Sequence, residues 1–175
     1  DFVECGIWKG GNILLYKLLN DHFNLNKKIF GYDTFEGMSL PENIDIDLKG
    51  NSAIDLAKHK SKFLSAGVET VHKNIIKHSN LNNIHLIKGK VEETLLSEKN
   101  LPKKISVLRL DTDWYSSTKI ELEILYPRLV EGGILIIDDY GHWEGSKKAV
   151  DEYFNKKKWL HSVDYTCRYL IKSKI

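Results

Sequence analysis

The sequence predicts an α/β domain: a mostly parallel seven-stranded sheet with an antiparallel last strand and helices on both faces. Three observations lead there. Strand-like and helix-like segments alternate along the 175 residues, which is the pattern of a parallel sheet covered on both sides. Residues 105–110 and 133–137 are runs dominated by β-branched residues and leucine, as expected of strands buried on both faces. The last two strand-like runs, 160–165 and 167–172, lie too close together for a crossover helix. They therefore pair antiparallel, because parallel neighbours need a connection of about a dozen residues or more.

Taken in order, Phe2–Cys5 is the first strand, and residues 12–23 follow as an amphipathic helix with Leu15, Leu18 and Leu19 as its apolar stripe. Residues 28–32 form the second strand. An irregular region from Thr34 to about Gly50 holds Pro41 and several Asn and Asp residues, and a loop of that length in a compact domain is functional or mobile. Asp45 and Asp47 on it are expected to be solvated. Helical pattern resumes over 52–79, broken near Gly67. Residues 84–88 are the third strand and 91–96 a short helix. Between the two buried strands, 117–129 carries Ile120, Ile124 and Leu125 on one helical face, and 145–157 is the last helix.

Composition narrows the function classes. The chain is 42% hydrophobic and 29% charged, the balance of an ordinary globular domain. Its apolar runs fall short of the roughly 18–20 residues a membrane-spanning helix needs, and nothing resembles a secretory leader. A net charge of +2 does not argue for nucleic acid. The basic stretch 58–77, with His59, Lys60, Lys62, His72 and Lys73, continues to His78; Val68, Val71 and Ile75 recur beneath it at helical spacing, so the charges belong to a solvated face. Cys5 and Cys167 both sit in apolar runs and read as reduced, buried thiols, which points to a cytoplasmic protein.

The chemistry is expected at one rim. In an open parallel sheet, ligands bind at the carboxyl ends of the strands, near the point where strand order reverses. Here Glu4, Asp33, Asp111 and the pair Asp138–Asp139 end strands one, two, four and five, although strands disfavour acidic residues. The turn after the first strand, ECGIWKGG over residues 4–11, contains Gly6, Gly10 and Gly11, which let backbone approach a ligand closely. The spacing is neither that of dinucleotide binders nor that of nucleoside triphosphate loops, which disfavours an NAD-dependent reductase. An acid at Glu4 suits a cationic ligand, such as the ammonium and sulfonium of S-adenosylmethionine. Asp33 is placed to accept the ribose hydroxyls of an adenosine-containing ligand. Asp111, Asp138 and Asp139 would repel one another unless a hard divalent cation such as Mg²⁺ lay between them. Asp113 is a fourth ligand or a general base for an acceptor hydroxyl, and His142 is the competing base. Trp8, Trp114, Tyr115, Tyr140 and Trp143 share the rim as walls of an acceptor pocket or as packing.

Six stretches then carry a resemblance: DFVECGIWKGG (1–11), YDTFEGM (32–38), KGKVEETL (88–95), LRLDTDWYSST (108–118), LYPRLVEGG (125–133) and IDDYG (137–141). Together, and in this order, they resemble the macrocin O-methyltransferase family of sugar methyltransferases. The resemblance implies a class I methyltransferase, Rossmann-like fold and a role in natural-product or glycan biosynthesis. It implies a single domain over 1–175 that lacks an N-terminal extension or is excised from a longer chain.

By the same resemblance Glu4 and Gly6 meet the methionine part of S-adenosylmethionine, with Gly10 and Gly11 in the same turn. Asp33, Thr34 and Phe35 lie at the ribose, and Gly89, Lys90, Val91 and Glu92 near the adenine. Lys90-Val91 stands where the family often has a bulkier aromatic pair. Asp111, which also borders the cofactor, ligates Mg²⁺ with Asp138 and Asp139, and Asp113 is the base. The expected partner is a small-molecule or glycan acceptor with a free hydroxyl, without nucleic acid or a membrane span, and with room for a homo-oligomer. Two other readings are a catechol-type phenol O-methyltransferase and a non-catalytic cofactor-binding module of a larger glycan-building protein. Acceptor profiling separates the first from a sugar enzyme, and cofactor binding without turnover would identify the second.

Overall fold

The computed structural model describes residues 1–58, 64–155, 157 and 159–174. Its strands are β1 (Phe2–Cys5), β2 (Ile29–Asp33), β3 (Ile84–Lys88), β4 (Ile105–Leu110), β5 (Leu129–Ile137), β6 (His161–Ser162) and β7 (Arg168–Ile171). They form one seven-stranded sheet in the order β3-β2-β1-β4-β5-β7-β6. The first five run parallel, and β7 lies antiparallel to both β5 and β6. The chain first builds outward from β1 to β2 and β3, then returns to place β4 on the other flank of β1. That reversal is the switch point of the sheet.

Alternation along the strands assigns the two layers. Val3 and Cys5 of β1, with Phe30 and Tyr32 of β2, point into the larger core, which also holds Leu108, Leu122, Leu125, Leu135 and Ile137. Helices α4 (Val91–Thr94), α5 (Tyr115–Leu125) and α6 (Glu144–Tyr153) cover this face. Phe2 and Ile29 point the other way, onto Ile13 and Tyr16 of α1 (Gly11–His22) and Val71 and Ile75 of α3 (Val68–Ile76). Each leucine fully withdrawn from water contributes about 1.5–3 kcal/mol. The short helix α2 (Ala53–Lys58) follows the long loop.

Several expectations need correction. The stripe of Leu15, Leu18 and Leu19 on α1 is exposed; the buried residues are Ile13, Tyr16, Lys17 and Asn20. That set has the same i, i+3, i+4, i+7 spacing, and its polar members are satisfied. Lys17 pairs with Asp21, and Asn20 brackets Lys27 with two backbone bonds of 2.9 and 3.1 Å. On α5, Leu125 is buried as expected, but Ile120 and Ile124 only flank the core, and Ser117, Thr118, Glu121 and Leu122 complete the buried face. The helix ends at Leu125, and a 3₁₀ turn (Tyr126–Arg128) leads into β5. Strand β5 begins at Leu129, four residues earlier than expected. The register against β4 jumps between Ile105 and Val107, where Gly132 takes φ +75°.

Lys73, Lys77 and His78 are exposed while Val71 and Ile75 are buried, as expected for a solvated basic face; His59, Lys60 and Lys62 lie outside the described residues. Cys5 and Cys167 are free and buried. Among the described residues no helix is long and apolar enough to cross a membrane.

Candidate active site

Strand register brings the acidic residues together. Cys5 pairs with Tyr32 on one side and Leu110 on the other, and Leu110 pairs with Ile137. The residues that follow these positions therefore emerge at one rim, around the switch point. There a cleft open to solvent is lined by Gly6, Trp8, Asp33, Gly89, Val91 and Asp111, among others.

The floor of the cleft is built by tight turns. Gly6 (φ +79°) needs its missing side chain, since a Cβ there would collide with the Asp111 carbonyl oxygen. This lets the β1 turn close against the end of β4, where Asp111 N–H donates to the Cys5 carbonyl at 2.9 Å. Asp33 stiffens the same turn. Its Oδ2 accepts the Ile7 and Trp8 N–H groups at 2.9 and 3.0 Å, and its Oδ1 accepts Phe35 N–H at 2.7 Å. Three of its roughly four acceptor sites are thus taken. Thr34, Gly89, Lys90, Val91 and Glu92 also line the cleft. Gly10 and Gly11 do not line it. Gly10 (φ +80°) leads into α1 and packs against Val71, while Gly11 faces open space. Phe35 is buried in the core beside α1 and α3.

Glu4 is also absent from the cleft wall. It is buried with Oε1 accepting Asn12 Nδ2 at 2.8 Å and Arg109 Nη1 at 2.7 Å, and its Oε2 has no partner. Burial raises its pKa, and Asn12 and Arg109 pull against that rise. Arg109, which the sequence reading overlooked, is shared among three strand ends. Its Nη1 also donates to Asp111 Oδ2 at 2.5 Å, and its Nη2 to Asp138 Oδ1 at 2.8 Å. Burial alone would lower the guanidinium pKa, but the three carboxylates push it up and keep it charged. A charged residue inside the apolar run Ile105–Leu110 was the available signal.

Asp111, Asp113 and Asp139 each offer a carboxylate oxygen within 4.8 Å of the others. Asp138 is turned to Arg109 instead. Burial pushes the acids of Asp111, Asp113 and Asp139 well above the usual carboxylate range, and their mutual repulsion adds to it. Arg109 opposes the rise at Asp111, and a hydrogen bond from Asp139 opposes it at Asp113. A divalent cation fits this donor set: hard oxygen ligands, close together, whose negative charge is otherwise costly.

The Asp111–Asp113 turn is tightly held. Asp113 adopts φ +68° while Trp114 N–H donates to the Thr112 carbonyl at 2.8 Å, the hydrogen bond and φ of a strained γ-turn. Such strain persists only where the surroundings over-determine it. Here Thr112 Oγ1 donates to the fully buried Glu121 at 2.9 Å, and Ser117 Oγ to the Trp114 carbonyl at 3.1 Å.

The third support is Asp45, which is completely buried where solvation was expected. Its Oδ1 accepts Tyr115 N–H at 2.9 Å and its Oδ2 accepts Glu42 N–H at 2.7 Å. It thereby caps α5 from the long loop, a contact between residues 70 apart that helix-start patterns cannot reveal. Asp47 accepts three bonds from Lys49 and Asn51 within its own turn. The loop is further strapped by Trp114 Nε1 donating to the Ser39 carbonyl at 3.0 Å. Trp114 and Trp143 pack edge-to-face under it, against Ala53 and Met38. Of the rim aromatics, Trp8 lines the cleft; Tyr115 and Tyr140 donate to Glu152 and Asp151. His142 is not among the cluster of Asp111, Asp113 and Asp139 or the residues that line the cleft; its ring packs edge-on to Trp143 and Tyr165, with Nδ1 buried and unpartnered.

Comparison with known proteins agrees with this architecture. A model of the macrocin-O-methyltransferase (TylF) family matches residues 1–172. The chain is 34% identical over 159 residues to 8-demethyl-8-(2,3-dimethoxy-alpha-L-rhamnosyl)-tetracenomycin-C 4'-O-methyltransferase of Streptomyces olivaceus, covering 87% of this chain and 57% of that protein. It is 32% identical over 155 residues to demethyldecarbamoylnovobiocin O-methyltransferase of Streptomyces niveus, with the same coverage. It therefore spans less than two thirds of the length of these curated relatives. Among solved structures, the O-methyltransferase NovP superposes with a TM-score of 0.84 at 26% identity, over 99% of this chain and 72% of that one. The fold is that of class I methyltransferases.

Proposed function

The chain belongs to the macrocin O-methyltransferase family, and on that premise we propose that it is the catalytic domain of an S-adenosylmethionine-dependent O-methyltransferase that acts on a sugar hydroxyl with the help of a divalent cation such as Mg²⁺. The observation that carries this reading is the cluster Asp111, Asp113 and Asp139 at the edge of the switch-point cleft. A sugar acceptor is favoured by the relatives, one of which is named for a rhamnosyl substrate.

Gly6 and Trp8 would face the amino-acid end of the cofactor, and Val91 and Glu92 its adenine. Asp33 has about one acceptor site left, so it would take one ribose hydroxyl rather than two. Asp111 and Asp139 would hold the metal together with Asp113 or, once released from Arg109, Asp138. A bound divalent cation supplies Lewis acidity, which lowers the pKa of an acceptor hydroxyl. Asp113, which lines the cleft beside Asp111 and Asp139, would take that hydroxyl proton where Asp138 rather than Asp113 completes the metal site. The strained turn fixes Asp113 beside the cleft, and holding acceptor oxygen and methyl donor in line accounts for much of the rate.

Calorimetry with S-adenosylhomocysteine, with and without Mg²⁺, followed by a methyl-transfer screen of sugars and nucleotide sugars, tests the proposal. Binding, and transfer that EDTA abolishes, are expected. Full, EDTA-insensitive transfer by Asp111→Asn would overturn the metal reading, and preferred turnover of catechols would overturn the sugar reading.

A further inference from the structure

Arg109 is the one arginine on the parallel strands β1 to β5, and its position is costly. A guanidinium taken out of water requires partners, and this one has Glu4, Asp111 and Asp138, at 2.5–2.8 Å. One of these, Glu4, lies behind the cofactor turn; the other two are carboxylates that the sequence marks for metal. We propose that Arg109 is the resident counter-cation of the acidic rim: it holds these carboxylates in place before any metal arrives, and it weakens the site's affinity for divalent cations by competing for two of them.

The geometry supports both halves. The guanidinium forks, with one nitrogen bridging Glu4 and Asp111 and the other on Asp138. A lysine ammonium, a point charge, cannot reproduce that planar fork. Asp138 is committed to Arg109, which explains why it stands apart from the cluster of Asp111, Asp113 and Asp139. A metal that draws on Asp138, or on the Arg109-bound oxygen of Asp111, must displace a charge-assisted hydrogen bond. Arg109 is thus a positioning residue that sets metal affinity.

This inference rests on the metal reading above, and the test separates the two. Mg²⁺ binding is measured by calorimetry and by thermal shift, against an EDTA baseline, for the wild-type chain, Arg109→Met and Arg109→Lys. Methionine keeps much of the volume but removes the charge. The Met variant is expected to melt lower than wild type in EDTA, to bind Mg²⁺ roughly tenfold more tightly or better, and to gain more thermal stability from the ion. Lysine should shift affinity less, since the charge stays. If wild type and the Met variant bind Mg²⁺ equally, the role of Arg109 is overturned while the metal site stands. If neither binds Mg²⁺, the metal reading itself falls, and this inference with it. Should the Met variant not fold even with Mg²⁺, Arg109→Gln, which also removes the charge, decides: affinity at or below wild type overturns the proposal, and a several-fold gain supports it.

Discussion

Replacing Asp45 by alanine should destabilise the domain far more than the loss of an ordinary loop residue. The side chain satisfies two backbone donors, Tyr115 N–H at the start of α5 and Glu42 N–H within the loop. Trp114, which precedes the helix, makes no side-chain cap of its own. The Tyr115 N–H is partly buried, so losing its cap costs about 1–2 kcal/mol, whereas Glu42 is exposed and its N–H can turn to water. Some of this is returned, because burial raises the pKa of Asp45, with the Glu42 and Tyr115 backbone bonds opposing it, so the carboxylate is held at a desolvation cost. A net loss of about 1–2 kcal/mol remains, or roughly 2–8 °C in Tm for a domain of this size. Asparagine keeps only one of the two acceptors and should cost about half as much. Gly145 supplies a sharper check. A Cβ there would collide with Asp45 Oδ1, so Gly145→Ala should destabilise the wild type despite alanine's helix preference of about 1 kcal/mol. In the Asp45→Ala background only the Tyr115 backbone nitrogen, at 3.1 Å, still crowds that position, and the same change should be nearly neutral. Urea unfolding of the four proteins reads the coupling directly. Additivity within about 0.5 kcal/mol, or an Asp45→Ala loss below that figure, would refute the idea that this contact anchors the loop.

Glu121 supplies a pH signature. Burial holds its acid well above the ordinary glutamate value. A raised folded-state pKa means that the neutral acid's contribution is fully present below the ordinary range and is lost as pH rises through the folded value. Glu121→Gln keeps an acceptor for Thr112 without a charge, so its stability advantage over wild type should grow by up to about 1.4 kcal/mol per pH unit in that window. Parallel stabilities at pH 5 and pH 8 would contradict this. On α1 and α5, Leu18→Lys should change stability by less than about 0.5 kcal/mol, because Leu18 is 43% exposed. Leu122→Ala, at a fully buried position, should cost about 2–5 kcal/mol, and equal effects in denaturant titrations would overturn the burial assignment.

Much of the architecture was legible because it depends on local pattern. Largely apolar, β-branched runs at β4 and β5 read as strands covered on both faces, and the short spacing of the last two strands allows only an antiparallel pair. Acidic residues at the strand ends predicted a rim, and strand register brings Asp33, Asp111 and Asp139 to it. Helix phase was less legible. On α1 the set Ile13, Tyr16, Lys17, Asn20 and the set Leu15, Leu18, Leu19 both have helical spacing. The more apolar set faces solvent, while the buried Lys17 and Asn20 keep partners in Asp21 and the Lys27 backbone.

The carboxylate rim was therefore determined by sequence alone, since residues that end parallel neighbours in register must meet. Which carboxylates face one another was decided only by tertiary structure. Arg109 draws Glu4 and Asp138 away from the cleft, Asp45 arrives from 70 residues distant to cap α5, and the strained turn swings Asp113 toward Asp139. Side-chain pairing inside a low-dielectric rim depends on distances of a few ångströms between segments far apart in the chain. No local periodicity encodes that.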